Sequence, residues 1–211
     1  LAPLVLCFVT TTFYFWAVLP QNPVLQAGAD LEVIEGVELT QPGRSLRVEE
    51  YFSYGCIHCK NFDPELEAWL TTLPEDVEFA RKPTAFSRTW SILAQAYYAL
   101  EKAEALEGNH EQLFKGIHNG GRVFNSGQDI ADYLDSQALP ASEFMRAFNS
   151  RDVARRLNRA TEDTRRAGIR AVPTLVVAGK YRVGTTHGAE RALEVVEHLL
   201  EQERALLMKQ S

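Results

Sequence analysis

Hydrophobic and polar residues follow several distinct patterns along the chain. The first 29 residues contain no charged side chain and are mainly apolar. Further on, apolar residues first alternate with polar ones, as in a β-strand, and then recur every three to four residues, as in helices. Short strand patterns return after residue 173, and a helical pattern ends the chain. The predicted order is strand, helix, strand, a block of helices, two strands and a helix, which indicates an α/β fold with a mixed sheet flanked by helices.

The alternating region predicts a strand, a helix and a second strand. The first strand runs from Leu46 to Tyr54, and the period of two places the carboxylate Glu50 on the same face as its apolar residues. The helix covers about residues 57–73 and contains Pro64, which predicts a kink. Residues 77–81 predict the second strand.

The middle of the chain predicts a helical insertion. Apolar stripes indicate four short helices within residues 86–149, and we interpret their aromatic residues as core. A longer helix follows, with Ser150 as its N-cap and Gly168 at its end. A hairpin about residues 179–180 and a final helix over about 188–207 complete the pattern. Residues 30–85 and 150–211 would then form one α/β domain interrupted by the insertion.

The apolar N-terminal segment is typical of an export signal. Ala27-Gly28-Ala29 has the small-x-small form that signal peptidase accepts, so we expect a mature chain that begins at Asp30. Because the segment starts at Leu1 with neither a Met nor a basic flank, we expect its beginning to be missing. An uncleaved membrane anchor over residues 1–19 is the alternative, since about 20 apolar residues span a bilayer. A buried core helix is a third, disfavoured by Pro20 and Pro23.

Composition narrows the function. The chain has 211 residues, of which 45% are hydrophobic, and a net charge of -6. This length suits one domain, or a domain with an insertion. The acidic balance and the lack of a Lys/Arg cluster argue against nucleic-acid binding. Nothing indicates a dimerisation domain, so we expect a monomer.

Two of the three cysteines carry the candidate chemistry. Cys7 lies in the apolar segment, and Leu6 is too large for a lipoprotein signal, so we assign Cys7 no role. Cys56 and Cys59 lie three apart where a strand ends and a helix begins. Unpaired N–H groups and the helix dipole favour a thiolate at Cys56, and His58 would add positive potential when protonated. Cys59 lies one turn further on and should be more buried.

Two other interpretations of the cysteine pair are weaker. A structural disulfide between residues three apart closes too small a loop to stabilise the fold much. A zinc site needs four ligands, and the remaining histidines show no paired spacing, so we expect no metal. A C-x-x-C pair that follows a strand and opens a helix indicates disulfide exchange.

The two cysteines and their surroundings resemble the DsbA family of exported thiol oxidases, within the thioredoxin superfamily. The resemblance rests on residues 52–59 (FSYGCIHC), on Pro64 and on residues 168–174 (GIRAVPT), and it covers the chain from about Leu31 to its end. It implies a thioredoxin-like fold with an inserted helical subdomain. Many family members have Pro where this chain has Ile57, and this difference leaves the redox potential open.

The resemblance also implies roles for individual residues. Cys56 would be the exposed cysteine that forms mixed disulfides, Cys59 its buried partner, and His58 a hydrogen-bonding stabiliser of the Cys56 thiolate. Glu50 matches a buried acid that could relay a proton near Cys59; its alternative is a solvated charge. Substrate-binding positions and the backbone geometry expected there also follow: a cis-Pro173, a Val172 backbone that pairs with extended substrate, and an apolar surface that includes Ile57 and Tyr54.

The implied function is donation of the Cys56–Cys59 disulfide to reduced or unfolded exported proteins in the periplasm. No cofactor besides the redox-active cysteine pair is expected. Reoxidation would fall to a DsbB-type, quinone-linked membrane partner, on family analogy alone. Two alternatives stay open: a thioredoxin-like reductase or isomerase, and a non-catalytic binder of unfolded chains.

Overall fold

The computed structural model describes residues 31–34, 46–135 and 139–210. The predictions for residues 1–29, which concern the export signal, the anchor and Cys7, lie outside these residues. None of the described helices is both long and apolar enough to cross a membrane.

Five strands in the described part of the chain form one mixed sheet. They are β1 (Glu32–Val33), β2 (Leu46–Phe52), β3 (Val77–Pro83), β4 (Thr174–Val177) and β5 (Tyr181–Gly184), in the order β1-β5-β4-β2-β3. β2 pairs with β3 in parallel, and the other pairs are antiparallel. β2 lies inside the sheet, between β4 and β3, and both of its faces are largely buried.

Seven helices are present in the same residues. They are α1 (Ile57–Leu70), α2 (Arg88–Lys102), α3 (Asn109–His118), α4 (Gly127–Asp135), α5 (Ala141–Phe148), α6 (Arg151–Arg166) and α7 (Ala189–Gln210). The four predicted helices of the insertion correspond to α2 through α5. Ser150 caps α6 as predicted, because its hydroxyl accepts a hydrogen bond from the Val153 backbone N–H. Gly168, with φ of 62°, follows the end of α6.

Several element ends differ from the sequence prediction. β2 ends at Phe52 rather than Tyr54, because the chain turns at Ser53: its carbonyl oxygen accepts from Cys56 N at 3.0 Å and its hydroxyl from Gly55 N at 3.2 Å. α1 ends three residues early, at Leu70, where the hydroxyls of Thr71 and Thr72 donate to backbone carbonyls of the last turn. β3 extends to Pro83, which stands opposite Phe52.

Two hydrophobic clusters lie on either side of the active-site segment. One packs α1 and α7 against the sheet. The other lies inside the helical insertion, and it includes Phe52, Tyr54 and both cysteines of the C-x-x-C pair. The end of β2 and the start of α1 are therefore held between the α/β part and the helical part, which fixes where the cysteines lie.

Candidate active site

Cys56 is the N-cap of α1 and Cys59 lies in its first turn. Both are free thiols in this structure. Cys59 is fully buried, whereas Cys56 is 9% exposed. The resemblance implied a more open Cys56. The loop around Val172 restricts it, since the Cys56 Sγ lies 3.4 Å from the Val172 carbonyl oxygen, to which the thiol donates.

The two thiols have opposite pKa shifts. A hydrogen bond from the Cys59 thiol is the largest influence on Cys56, and with the backbone N–H groups of Cys59 and His58 it lowers the pKa of Cys56 to about 6, although burial opposes this. Burial raises the pKa of Cys59 far above its usual value, and the hydrogen bond to Cys56 adds to this. The site therefore favours one thiolate and one thiol at neutral pH, as the helix-start position predicts.

His58 acts on Cys56 mainly through its backbone. The imidazole is exposed, and within the described residues no side-chain hydrogen bond joins it to Cys56. Its backbone N–H lowers the pKa of Cys56, and its charge contributes less. A His58→Ala substitution would remove the imidazole and keep the N–H.

Glu50 is buried, as the strand parity predicts, with 1% of its surface exposed. Arg81 of β3 donates to it, with 2.9 Å between Nε and the Glu50 Oε2. Burial is the largest influence on this carboxyl and raises its pKa to about 7, although Arg81 lowers it. Glu50 can therefore both hold and release a proton at neutral pH. It is also one of the charges that raise the pKa of Cys59.

The loop before β4 faces the cysteine pair. The Val172–Pro173 peptide bond is cis, as the resemblance implied. Pro173 is buried and Val172 is half-buried. The contact between Cys56 and the Val172 carbonyl places this loop directly over the reactive sulfur.

Of the two residues predicted on an exposed apolar surface, Ile57 is exposed and Tyr54 is buried. Ile57 is 43% exposed beside Cys56. Tyr54 is only 1% exposed, so it does not form part of an exposed surface. Its ring packs against Phe52 of β2 and Phe114 of α3, and its hydroxyl lies 2.8 Å from Nδ1 of His110. These contacts within the hydrophobic cluster of the insertion keep Tyr54 buried.

Two aromatic residues near the site, one exposed and one partly buried, were not predicted to contribute to it. Phe86 is 47% exposed and stacks on Trp90 of α2, with ring centroids 5.6 Å apart. The Trp90 indole covers Gly55, because a Cβ placed on Gly55 would lie 2.6 Å from the Trp90 Nε1. The sequence placed Trp90 on an apolar helical stripe, and that pattern does not show that the indole covers the residue before Cys56.

A group of possible metal ligands lies next to the site but already has a cationic partner. Single ligand atoms of Asp63, Glu67 and His110 lie within 4.8 Å of one another. The Arg81 guanidinium donates to both carboxylates, at 3.2 Å and 2.7 Å. A metal ion would have to displace Arg81, so we assign no metal to this group.

A mixed sheet of this order, a C-x-x-C pair at the start of α1 and a cis-proline loop facing it define a thioredoxin-fold dithiol protein. A family model described as a DSBA-like thioredoxin domain matches residues 76–200. The chain belongs to this family, and it is a protein disulfide oxidoreductase.

Relatives and solved structures agree with this assignment. The thiol:disulfide interchange protein DsbA of Azotobacter vinelandii is 35% identical over 177 residues, which cover 83% of this chain and 82% of that protein. The DsbA of Pseudomonas aeruginosa is 32% identical over 181 residues, 85% of each. A crystal structure of P. aeruginosa DsbA has a TM-score of 0.82 at 31% identity, covering 86% of this chain and 96% of that one. The oxidoreductase DsbA of Xylella fastidiosa has a TM-score of 0.79 at 29% identity, covering 87% and 100%.

Proposed function

We propose that this chain works outside the cytoplasm and oxidises thiols of substrate proteins with a disulfide between Cys56 and Cys59. The observation that carries this proposal is the asymmetry of the pair: the pKa of Cys56 is lowered to about 6, whereas that of the buried Cys59 is raised. A thiolate that is stable in the reduced site is a good leaving group, which favours transfer of the disulfide to the substrate.

The reaction proceeds in two exchanges. A substrate thiolate attacks the Cys56 Sγ, the Cys56–Cys59 bond breaks, and Cys59 leaves with the electron pair. The Glu50 carboxyl supplies a proton to this buried sulfur, and Arg81 stabilises the carboxylate that results. A second substrate thiolate then attacks the substrate sulfur of the mixed disulfide, and Cys56 leaves as a thiolate. The substrate has lost two electrons, which the cysteine pair now holds.

Substrate chains dock on the surface that surrounds Cys56. The Val172 carbonyl, which accepts from the Cys56 thiol here, is a backbone group that an extended chain can pair with. Ile57, Phe86 and Trp90 supply apolar contact that does not depend on sequence. Pro173 shapes the loop. Such a surface suits reduced or unfolded proteins of many sequences.

The cellular context of the proposal follows the family. The chain is exported to the periplasm, acts as a monomer on exported proteins, and is reoxidised by a DsbB-type quinone-linked membrane protein. Residues 1–29 are either removed or retained as a tether. N-terminal sequencing of the mature protein distinguishes these fates, because a start at Asp30 excludes the tether.

The Cys56→Ser variant tests the assignment of the nucleophile. The variant should not oxidise a reduced test protein, and Cys59→Ser should trap a mixed disulfide at Cys56. A Cys56→Ser protein that oxidised the substrate at the wild-type rate would refute the assignment. A titration of the cysteine pair in glutathione buffers then shows in which direction the protein exchanges disulfides. A strongly oxidising potential supports the oxidase, and a thioredoxin-like potential supports a reductase. Binding of unfolded chains without any thiol oxidation by the wild type would indicate a binder.

A further inference from the structure

The charged cluster behind Cys59 extends well beyond Glu50. Arg81 contacts three carboxylates: its Nε lies 2.9 Å from Glu50, and its Nη2 lies 3.2 Å from Asp63 and 2.7 Å from Glu67. Only 13% of the Arg81 side chain is exposed. One buried cation therefore serves three anions, which come from β2 and from two successive turns of α1.

His110 of α3 fixes the second of these anions. Its Nε2 lies 3.0 Å from the Asp63 Oδ1, and its Nδ1 lies 2.8 Å from the Tyr54 hydroxyl. Because an ionised carboxylate can only accept, Nε2 must carry a proton, and a neutral ring then accepts from Tyr54. Asp63 Oδ1 is thus held by two donors, one from Arg81 and one from His110.

The cluster has more negative than positive charge. With all three carboxylates ionised and His110 neutral, Arg81 leaves a surplus of two negative charges. The side chains of Glu50, Asp63 and Glu67 are 2%, 10% and 53% exposed, respectively. Since an ionised carboxylate is least favourable where burial is deepest, a proton added to the cluster goes to Glu50.

Other titratable groups also act on Glu50. Cys59 on α1, Tyr97 on α2 and Tyr54 after β2 interact with it electrostatically. The tyrosines are neutral at ordinary pH, because burial raises the pKa of each above its usual value. Among the groups around Glu50, Asp63 and Glu67 are the anions that share Arg81 with it, so a substitution at either one removes a negative charge from the same guanidinium.

We propose that Asp63, held in place by His110, is a positioning residue that keeps Glu50 protonated by engaging the Nη2 end of Arg81. The inference rests on the proposed function, because a proton on Glu50 serves the reaction only where Cys59 leaves as a thiolate. With Asp63 in place, Glu50 shares the guanidinium and retains a proton for Cys59. Without that negative charge, Arg81 would stabilise the Glu50 carboxylate more strongly, and the proton would be lost at lower pH.

The Asp63→Asn variant tests the proposal, because asparagine keeps the shape and removes the charge. A ¹³C NMR titration of the Glu50 carboxyl in the reduced protein should show its pKa falling by about one unit. The rate at which a thiol substrate opens the Cys56–Cys59 disulfide should change with the protonated fraction of Glu50. The ratio of variant to wild-type rate should be near one at low pH and fall to about one tenth at high pH, since one pKa unit is tenfold in protonated fraction.

Two further variants control this comparison. Asp63→Glu should restore the wild-type titration of Glu50. Asp76→Asn removes the same charge from a surface pair with Arg204, and should leave both measurements unchanged. If Asp63→Asn does not fold, Glu67→Gln replaces it, because Glu67 is half-exposed and contacts the same Nη2.

An unchanged Glu50 titration and rate ratio in a folded variant would overturn the positioning role. That result differs from a failure of the proposed function, in which the wild type itself would not oxidise the substrate.

Discussion

At the scale of single residues, the site depends on the unlike environments of two identical side chains. Cys56 receives N–H groups at the start of α1 and a hydrogen bond from the Cys59 thiol, so its charged form is stabilised. Cys59 lies one turn further along α1 and has no exposed surface, so burial makes its thiolate unfavourable. The Cys59 thiol lowers the pKa of Cys56 more than His58 does, and the His58 imidazole is exposed.

Replacing Cys59 should therefore raise the pKa of Cys56 according to what the new side chain can donate. Cys59→Ala removes the thiol donor, and we expect the pKa of Cys56 to rise from about 6 by about one unit or more. Cys59→Ser keeps an O–H donor and should raise it less. The rate of Cys56 alkylation as a function of pH measures both. Equal midpoints in the two variants would show that the hydrogen bond has no such role.

Glu50 predicts a specific pH dependence of stability. Its pKa is about 7 in the folded protein against an ordinary value of 4.5, so the folded state binds more protons between these values. Stability from this group is full below about pH 4.5 and falls as the pH rises to about 7. We expect Glu50→Gln to lack this loss and to gain roughly 3 kcal/mol on the wild type across that range. Denaturant unfolding of both reduced proteins at several pH values measures the difference, and a constant difference would contradict it.

The sequence reveals a site residue when the groups that determine its chemistry are its neighbours in the chain. It does not reveal contacts between residues far apart in the chain. Cys56 and Cys59 are recognisable because their chemistry depends on a strand end and a helix start beside them. Period-two alternation was enough to predict that Glu50 is buried. The contact of Trp90 with Gly55 joins residues far apart in sequence, and so does that of His110 with Asp63. The alternation continued through Tyr54 agrees with the burial of this residue, whereas the exposed position that the family resemblance implied does not.

At the scale of elements, the hydrophobic period identified the helices and four of the five described strands, but not the two-residue β1, and hydrogen bonds at the ends of the elements set the boundaries. Ser150 and Gly168 were predicted correctly, because an N-cap and a positive φ are properties of a residue and its immediate neighbours. The extension of β3 to Pro83 depends on its pairing with Phe52, a contact that the sequence of β3 does not contain.

Replacing Gly168 by alanine should lower the free energy of unfolding through two separate effects. Its φ is 62°, and an added Cβ would lie 2.4 Å from Nη1 of Arg182, which donates to the Ala167 carbonyl at the end of α6. Gly121 has the same φ, with no atom within 4 Å of such a Cβ. We expect Gly121→Ala to cost about 1 kcal/mol from backbone strain alone. Gly168→Ala should cost about 1 kcal/mol more, because Arg182 must release its hydrogen bond. Denaturant unfolding gives both values, and equal costs would show that Arg182 moves freely.

At the scale of the whole molecule, the inserted helices complete the active site. The hydrophobic cluster of the insertion includes Phe52, Tyr54 and both reactive cysteines, so it is continuous with the end of β2. His118 of α3 also donates to the Tyr54 carbonyl at 2.8 Å, two residues before Cys56. The domain division at residues 86 and 149 stays a prediction, and α6 beyond it packs into the same cluster through Val153 and Ala160.

Because the site is part of the core, the charge of the Cys56 thiolate should contribute to the free energy of unfolding of the whole protein. The pKa of Cys56 is about 6 in the folded reduced protein against an ordinary value of 9.0. The thiolate therefore stabilises the reduced fold fully above about pH 9, and this contribution is lost as the pH falls through about 6. The oxidised protein has no thiolate and no such dependence.

We expect the stability of the reduced protein relative to the oxidised one to increase as the pH rises from 5 to 8. Guanidinium unfolding of both forms across that range measures the difference. The entropic effect of the disulfide adds a constant to this difference and does not change its dependence on pH. The reduced Cys56→Ser protein, which lacks the thiolate, should lose the increase. A reduced-minus-oxidised difference that stays constant with pH would mean that Cys56 is not held as a stabilised thiolate, and the proposed preference for donating disulfides would have no thermodynamic basis.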